Sequence, residues 1–144
     1  MSSNQLFQLE QNESYALIEW NSNQLIQTNY EELENVVRNL FKKEYTNIIL
    51  NISKVDEIDG YGVSAIRKGT KICSNESGLM VIVNKKDEII ERLDTAKIDN
   101  LTLMNTVQEG VDAIYLNDLE NDFGSEEEND EFSSDEFSDY SDEY

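Results

Sequence analysis

The 144-residue chain has no histidine, no proline and one cysteine. Without histidine there is no imidazole to act as a general base, to complete a Ser-His-Asp triad or to ligate a metal. Cys73 stands alone, which excludes an internal disulfide and a cysteine-cluster metal site. A lone cysteine accords with a reducing, cytoplasmic setting. No proline means no cis X–Pro bond to serve as a slow switch. Nothing approaches the ~20 consecutive apolar residues of a membrane span. The first residues, MSSNQLFQLEQNES, carry neither the basic region nor the apolar run of a secretory signal. No glycine-rich phosphate loop of the Walker type is present.

Positive charge is also scarce. Lys and Arg number 11 against 31 Asp and Glu, a formal charge of −20. Such a field opposes binding to nucleic acid or to an anionic membrane by charge attraction. The excess is uneven: from Asp118 to Tyr144 there are 13 acids and no bases, whereas the remaining 117 residues carry 18 acids and 11 bases. These features divide the chain into a globular domain over 1–117 and an acidic tail over 118–144, in which like-charge repulsion favours disorder. The tail ends in DEFS, SDEFS, DYS and DEY, a crude repeat of acid, aromatic and serine. Phe123, Phe132, Phe137, Tyr140 and Tyr144 are spread through it as potential contact points. It serves as a solubilising appendage, as a linear interaction motif, or as a self-masking segment held by Lys68 and Lys71.

Within the domain, hydrophobic periodicity sets the element order. Leu6 to Glu10 and Tyr15 to Trp20 read as strands around a turn at Asn12-Glu13-Ser14. Asn21 to Gln27 is polar and loop-like. A helix starts near Thr28, with Glu31 three residues on as a capping box, and carries Leu33, Val36, Val37, Leu40 and Phe41. Asn47 to Ile52 is an apolar strand of the kind that helices cover. A second helix, about Tyr61 to Ser74, places Gly62, Ala65, Ile66, Gly69 and Cys73 on one face. Leu79 to Val83 is a strand, and a third helix opens at Asn84 or Lys85. Leu101 to Met104 is a short strand, and Thr106 with Glu109 caps a fourth helix. The order β-β-α-β-α-β-α-β-α implies crossovers and a mainly parallel sheet.

The most informative stretch is NIILNISKVDEIDGYGV, Asn47 to Val63. It runs from a strand through an acidic turn into a helix N-terminus, where backbone N–H groups are free. Two accounts of Asp59-Gly60-Tyr61-Gly62 stand open. One is a turn that needs glycine's backbone freedom; the other is a docking loop on a rigid scaffold, with Tyr61 as an exposed amphipathic anchor. Arg67, Lys68 and Lys71 are either a solvated helix face or an electropositive strip for an acidic partner. Asp56, Glu57 and Asp59 lack the spacing of a cation-binding loop, so no metal is expected. Trp20 is expected to pack against the sheet, and Cys73 to be a small buried side chain. No cofactor site and no paired nucleophile and base are evident, which argues against an enzyme.

The element order together with ILNISKVDEIDGYGVSAI and VIVNKKDEIIERLDTAKIDNLTLMNTVQEGVDAI resembles the STAS domain of bacterial anti-sigma factor antagonists, over roughly residues 5–116. The resemblance implies an α/β fold with a four- to five-stranded mixed sheet and about four helices. The family shows Asp-Ser-X-Gly after its central strand. Here Asp59 matches the Asp, Gly60 falls on the Ser, Tyr61 on the variable position and Gly62 on the Gly. The resemblance further implies a non-enzymatic domain that binds a kinase-like anti-sigma factor and so frees a sigma factor, and whose serine the kinase phosphorylates to end binding. Gly60 has no hydroxyl, so no phosphate can be placed there; Tyr61 and Ser64 are the neighbouring hydroxyls. The implied partner surface is Asp59, Gly60, Tyr61, Gly62, Ser64, Arg67, Lys68 and Lys71. The alternative is a structural STAS subunit of a larger signalling or transporter-associated complex, where no switch is needed.

Overall fold

A computed structural model describes residues 6–130, with side chains as far as Asp122. The expectations for the tail beyond Asp130, including Phe132, Phe137, Tyr140 and Tyr144, lie outside the described residues, as does the side chain of Phe123. In chain order the elements are β1 (Phe7–Gln11), β2 (Ala16–Trp20), β3 (Gln24–Leu25), α1 (Tyr30–Lys42), β4 (Ile48–Asn51), β5 (Glu57–Ile58), α2 (Gly60–Asn75), β6 (Met80–Val83), α3 (Asp87–Thr95), β7 (Thr102–Met104) and α4 (Val107–Asp130).

Five strands form one mixed sheet in the order β1-β2-β4-β6-β7. The β1–β2 pair is antiparallel, with Phe7 opposite Trp20 and Gln11 opposite Ala16, and β2, β4, β6 and β7 run parallel. Side chains alternate across a strand, and the sheet uses both faces. Ala16, Ile18, Trp20, Ile48, Leu50, Ile52, Met80 and Ile82 point into the larger core with Leu33, Val37, Leu40, Ile66, Cys73 and Leu93 of α1, α2 and α3. Leu17, Ile49, Val81 and Val83 point the other way, onto Ile114 of α4. This is why β4 and β6 read as unbroken apolar runs. Trp20 is buried as expected; its Nε1–H donates to the Gln24 carbonyl at 2.9 Å, and its ring stacks on Phe7 at 6.2 Å.

Four local expectations change. The polar stretch 21–27 and the acidic turn each contain a short strand, and these two pair in parallel as β3–β5, with Leu25 opposite Ile58. Only two residues on each side carry the pairing, too few for a periodic signal. The capping box at Thr28 does not form. The N-cap is Asn29, and its side chain turns back into the loop: Oδ1 accepts from the Ile26 N–H and Nδ2 donates to the Gln24 carbonyl. The third helix opens at Asp87 because the Asn84 side chain is buried and bonded elsewhere. Its Nδ2 donates to the Ile52 carbonyl at 2.6 Å and its Oδ1 accepts from the Lys86 N–H. Finally, α4 continues to Asp130, past the compositional boundary at Asp118. The side chains of Asn117 and Asn121 both donate to the Ser77 carbonyl at 2.9 Å, and Asn47 Nδ2 reaches Asp118 at 3.4 Å, so the domain anchors this helix beyond Ile114, its last buried apolar side chain among the described residues. Its start is as expected, with the Thr106 hydroxyl accepting from the Glu109 N–H at 3.1 Å.

The two glycines at the head of α2 differ in what they permit. A Cβ on Gly62 would collide with the Leu25 carbonyl and the Ile58 side chain, whereas a Cβ on Gly60 would meet nothing within 4 Å. Neither has positive φ. Close approach, and not backbone freedom, therefore requires glycine at 62, and nothing requires it at 60. Gly62→Ala is expected to destabilise the fold by about 1–3 kcal/mol through overpacking. Gly60→Ala is expected to change stability by less than about 1 kcal/mol, as an exposed helical glycine does. Urea unfolding midpoints of the two variants test the contrast.

Candidate functional site

The head of α2 is held by one carboxylate. Asp59 is the N-cap, in extended backbone, and its Oδ1 accepts from the Gly62 N–H at 3.0 Å. Its Oδ2 accepts from the Gln27 N–H, also at 3.0 Å. The Asp59 N–H donates in turn to the Leu25 carbonyl at 3.4 Å, which continues the β3–β5 ladder. A negative N-cap also complements the positive end of the helix dipole. One side chain thus ties the helix to the loop before α1, and the glycine at 62 lets the two backbones meet.

What this clamp presents is Gly60, Tyr61 and Ser64. With Asp59 they line an open hollow of about 360 Å³. Tyr61 is 46% exposed, and its ring packs against that of Tyr30, at the start of α1, with centroids 5.1 Å apart and planes inclined by 40°. The Tyr30 ring steadies Tyr61 without covering it. An exposed aromatic ring braced in this way has little rotamer entropy left to lose on contact, which suits an interface anchor. Gly62, the remaining residue of the turn, is buried and acts in packing.

The basic residues do not form the single strip expected from spacing. Successive helical residues point about 100° apart, and neighbours draw them away from each other. Lys68 forms an ion pair with Glu34 of α1 at 3.1 Å. Arg67 swings the opposite way, its Nη2 donating to the Ala96 carbonyl at the end of α3 at 2.8 Å. Lys71 is exposed and makes no side-chain hydrogen bond or ion pair among the described residues. It faces Lys97 across a cleft between α2 and the α3–β7 connection. Asp59, Gly60, Tyr61 and Ser64 are therefore brought together, and Arg67 and Lys71 belong to a different surface. Sequence reasoning missed Tyr30, Gln27 and Lys97, which reach these sites from distant segments and carry no local motif.

Among the described residues no group of three His, Cys, Asp or Glu side chains could hold a metal ion, and no helix is long and apolar enough to cross a membrane. Cys73 is buried between α2 and the sheet, and burial pushes its thiol up to about 12.

With the fold and the turn in view, comparison with known proteins gives the class. The STAS domain family model matches residues 7–110, and the chain belongs to that family. The comparison with curated proteins finds no match. Solved structures agree on the fold. The anti-sigma factor antagonist SpoIIAA of Bacillus, in its unphosphorylated form, superposes with a TM-score of 0.61 at 19% identity, covering 76% of this chain and 97% of that one. A putative anti-sigma factor antagonist from Thermotoga maritima gives 0.67 at 20% identity, over 76% and 94% of the two chains. The murine Solute Carrier 26 family member A9 anion transporter gives 0.51 at 14% identity, over 76% of this chain and 18% of the transporter.

Two outcomes are expected. Asp59→Ala should lower stability by about 0.5–2 kcal/mol, the usual cost of losing a helix N-cap, measured by urea unfolding. Cys73, which needs the thiolate to react, should resist thiol reagents at mildly alkaline pH in the folded protein and react only once denaturant unfolds it, as a colorimetric thiol assay would show.

Proposed function

We propose that this chain is a non-enzymatic, cytoplasmic protein-interaction module that antagonises a kinase-like anti-sigma factor, and that the head of α2 is its docking surface. The observation that carries the reading is the arrangement at Asp59: a clamped helix start that leaves Tyr61 exposed beside Gly60, with the half-buried Ser64 lining the same hollow. Membership of the STAS family supports it, as do solved neighbours named as anti-sigma factor antagonists, one of them in a phosphorylated form. Gly60 stands where the family pattern carries its serine, so this surface has no hydroxyl for the usual phosphate. A phosphate would add about −1.5 to −2 charges there; without it the module stays competent to bind.

The test is a calorimetric titration of the full chain with kinase-type anti-sigma factors from the same genome. One of them should bind, and Tyr61→Ala should weaken that binding at least about thirtyfold, as loss of a ~2 kcal/mol anchor does. With the same partner and ATP, Gly60→Ser should take up phosphate and lose affinity, while the parent chain takes up none at this turn. Absence of binding to every such partner, or a Tyr61→Ala variant that binds as well as the parent, would refute the reading.

A second reading is a structural subunit of a larger assembly, and α4 favours it. Tyr115, Leu116 and Leu119 are about half exposed or more on this helix, an apolar surface among acids, and one solved neighbour is a transporter of which the matched part is a small fraction. Light scattering on the native particle separates the two: a stable large complex supports the assembly, and a monomer or weak one-to-one contact supports the antagonist.

A further inference from the structure

Lys71 and Lys97 face a cleft of about 320 Å³ between the C-terminal half of α2 and the α3–β7 connection. Arg67 and Asn75 stand on the α2 wall, and Asp99 is the single acid lining it. Arg67 is held in place by the Ala96 carbonyl. The two lysine ammonium groups have no hydrogen bond or ion pair among the described residues, in a chain whose one described ion pair is Lys68–Glu34. Three of the chain's 11 cationic side chains therefore meet at one concave place. Lys97 and Asn100 both have left-handed backbone, with φ of 56° and 65°, which sets the course of the far wall.

We propose that the acidic C-terminal segment of this chain, residues 131–144, docks in this cleft. Charge complementarity is the first argument. The segment has six acids and no bases in 14 residues, interleaved with Phe132, Phe137, Tyr140 and Tyr144. Position is the second. Asn117 and Asn121 of α4 both bond to the Ser77 carbonyl, two residues beyond Asn75 on the cleft wall, so the outgoing helix is fastened beside the cleft's end of the molecule. From Asn121 the helix advances about 13 Å to Asp130 at 1.5 Å per residue. The following 14 residues can span roughly 46–50 Å when extended, enough to come back around the edge of the sheet. Exposed ion pairs are individually weak. Tethering raises the effective concentration of the segment to about the millimolar range, so contacts too weak to act between separate molecules are populated within one. The proposal does not depend on the partner reading above; the cleft and the head of α2 are separate surfaces of one helix.

The test uses the full chain with a nitroxide spin label on Ser141→Cys. Cys73 stays unlabelled because it is buried and its thiol is pushed up to about 12. In about 10 mM salt, where charges act over roughly 30 Å, the amides of 71–75 and 97–100 should lose signal about twofold or more; in about 1 M salt, where the range is roughly 3 Å, they should recover. Lys71→Glu with Lys97→Glu, both at exposed positions, should abolish the broadening at low salt with the rest of the spectrum unchanged. No broadening at the cleft in low salt, or broadening that survives charge reversal, overturns the proposal. Broadening seen only when labelled and isotope-enriched chains are mixed overturns it in favour of pairing between copies.

Discussion

A single carboxylate bonded to two backbone amides organises the part of this molecule that faces outward. Asp59 caps α2 through the Gly62 N–H and holds the loop before α1 through the Gln27 N–H. If those bonds were absent, α2 would still be pressed on the sheet by Ile66, Cys73 and their neighbours, but its first turn would be tied to β3, β5 and Tyr30 only by the Asp59 N–H bond to Leu25, the close packing at Gly62 and the Tyr61–Tyr30 ring contact. The packing of a helix against a sheet sets where its axis lies. A short polar joint at its end sets what the first turn displays.

The same helix shows glycine acting in two unrelated ways at positions separated by a single residue. At 62 the space of the missing side chain is filled by the Leu25 carbonyl, so the residue belongs to packing. At 60 the space is open, so the glycine's consequence is chemical: a position that could hold a hydroxyl holds none. On the function proposed above, a docking surface with Gly60 at the usual serine position carries no phosphate there and answers to the supply of its partner. The acids beyond α4 and the cations along α2 belong to the same chain, but the cleft that gathers Arg67, Lys71 and Lys97 is a surface separate from the head of that helix.

Much of this was legible in the residues. Strand and helix order, the inward face Gly62-Ala65-Ile66-Gly69-Cys73 and the cap at Thr106 follow from hydrophobic period and local capping chemistry, which act within a few residues. The β3–β5 ribbon was not legible, because two residues cannot express a period, and the cap of α1 moved from Thr28 to Asn29 because Asn29 bonds backward to Ile26 and Gln24. Nor could spacing show that Arg67 and Lys68 part company: the partners that separate them, Ala96 and Glu34, lie about thirty residues away in sequence. Composition also understated α4, since the side chains that secure its later turns are asparagines bonding to Ser77, not aliphatics.

Amide hydrogen exchange at Gly62 and Gln27 tests the central claim most directly. Two amides distant in sequence, both bonded to Asp59, should be protected in the native protein, and both should lose protection together in Asp59→Ala while the amides of β4 and β6 keep theirs. Exchange of either amide at its free rate in the unaltered chain, or protection that persists after the carboxylate is removed, would contradict the account.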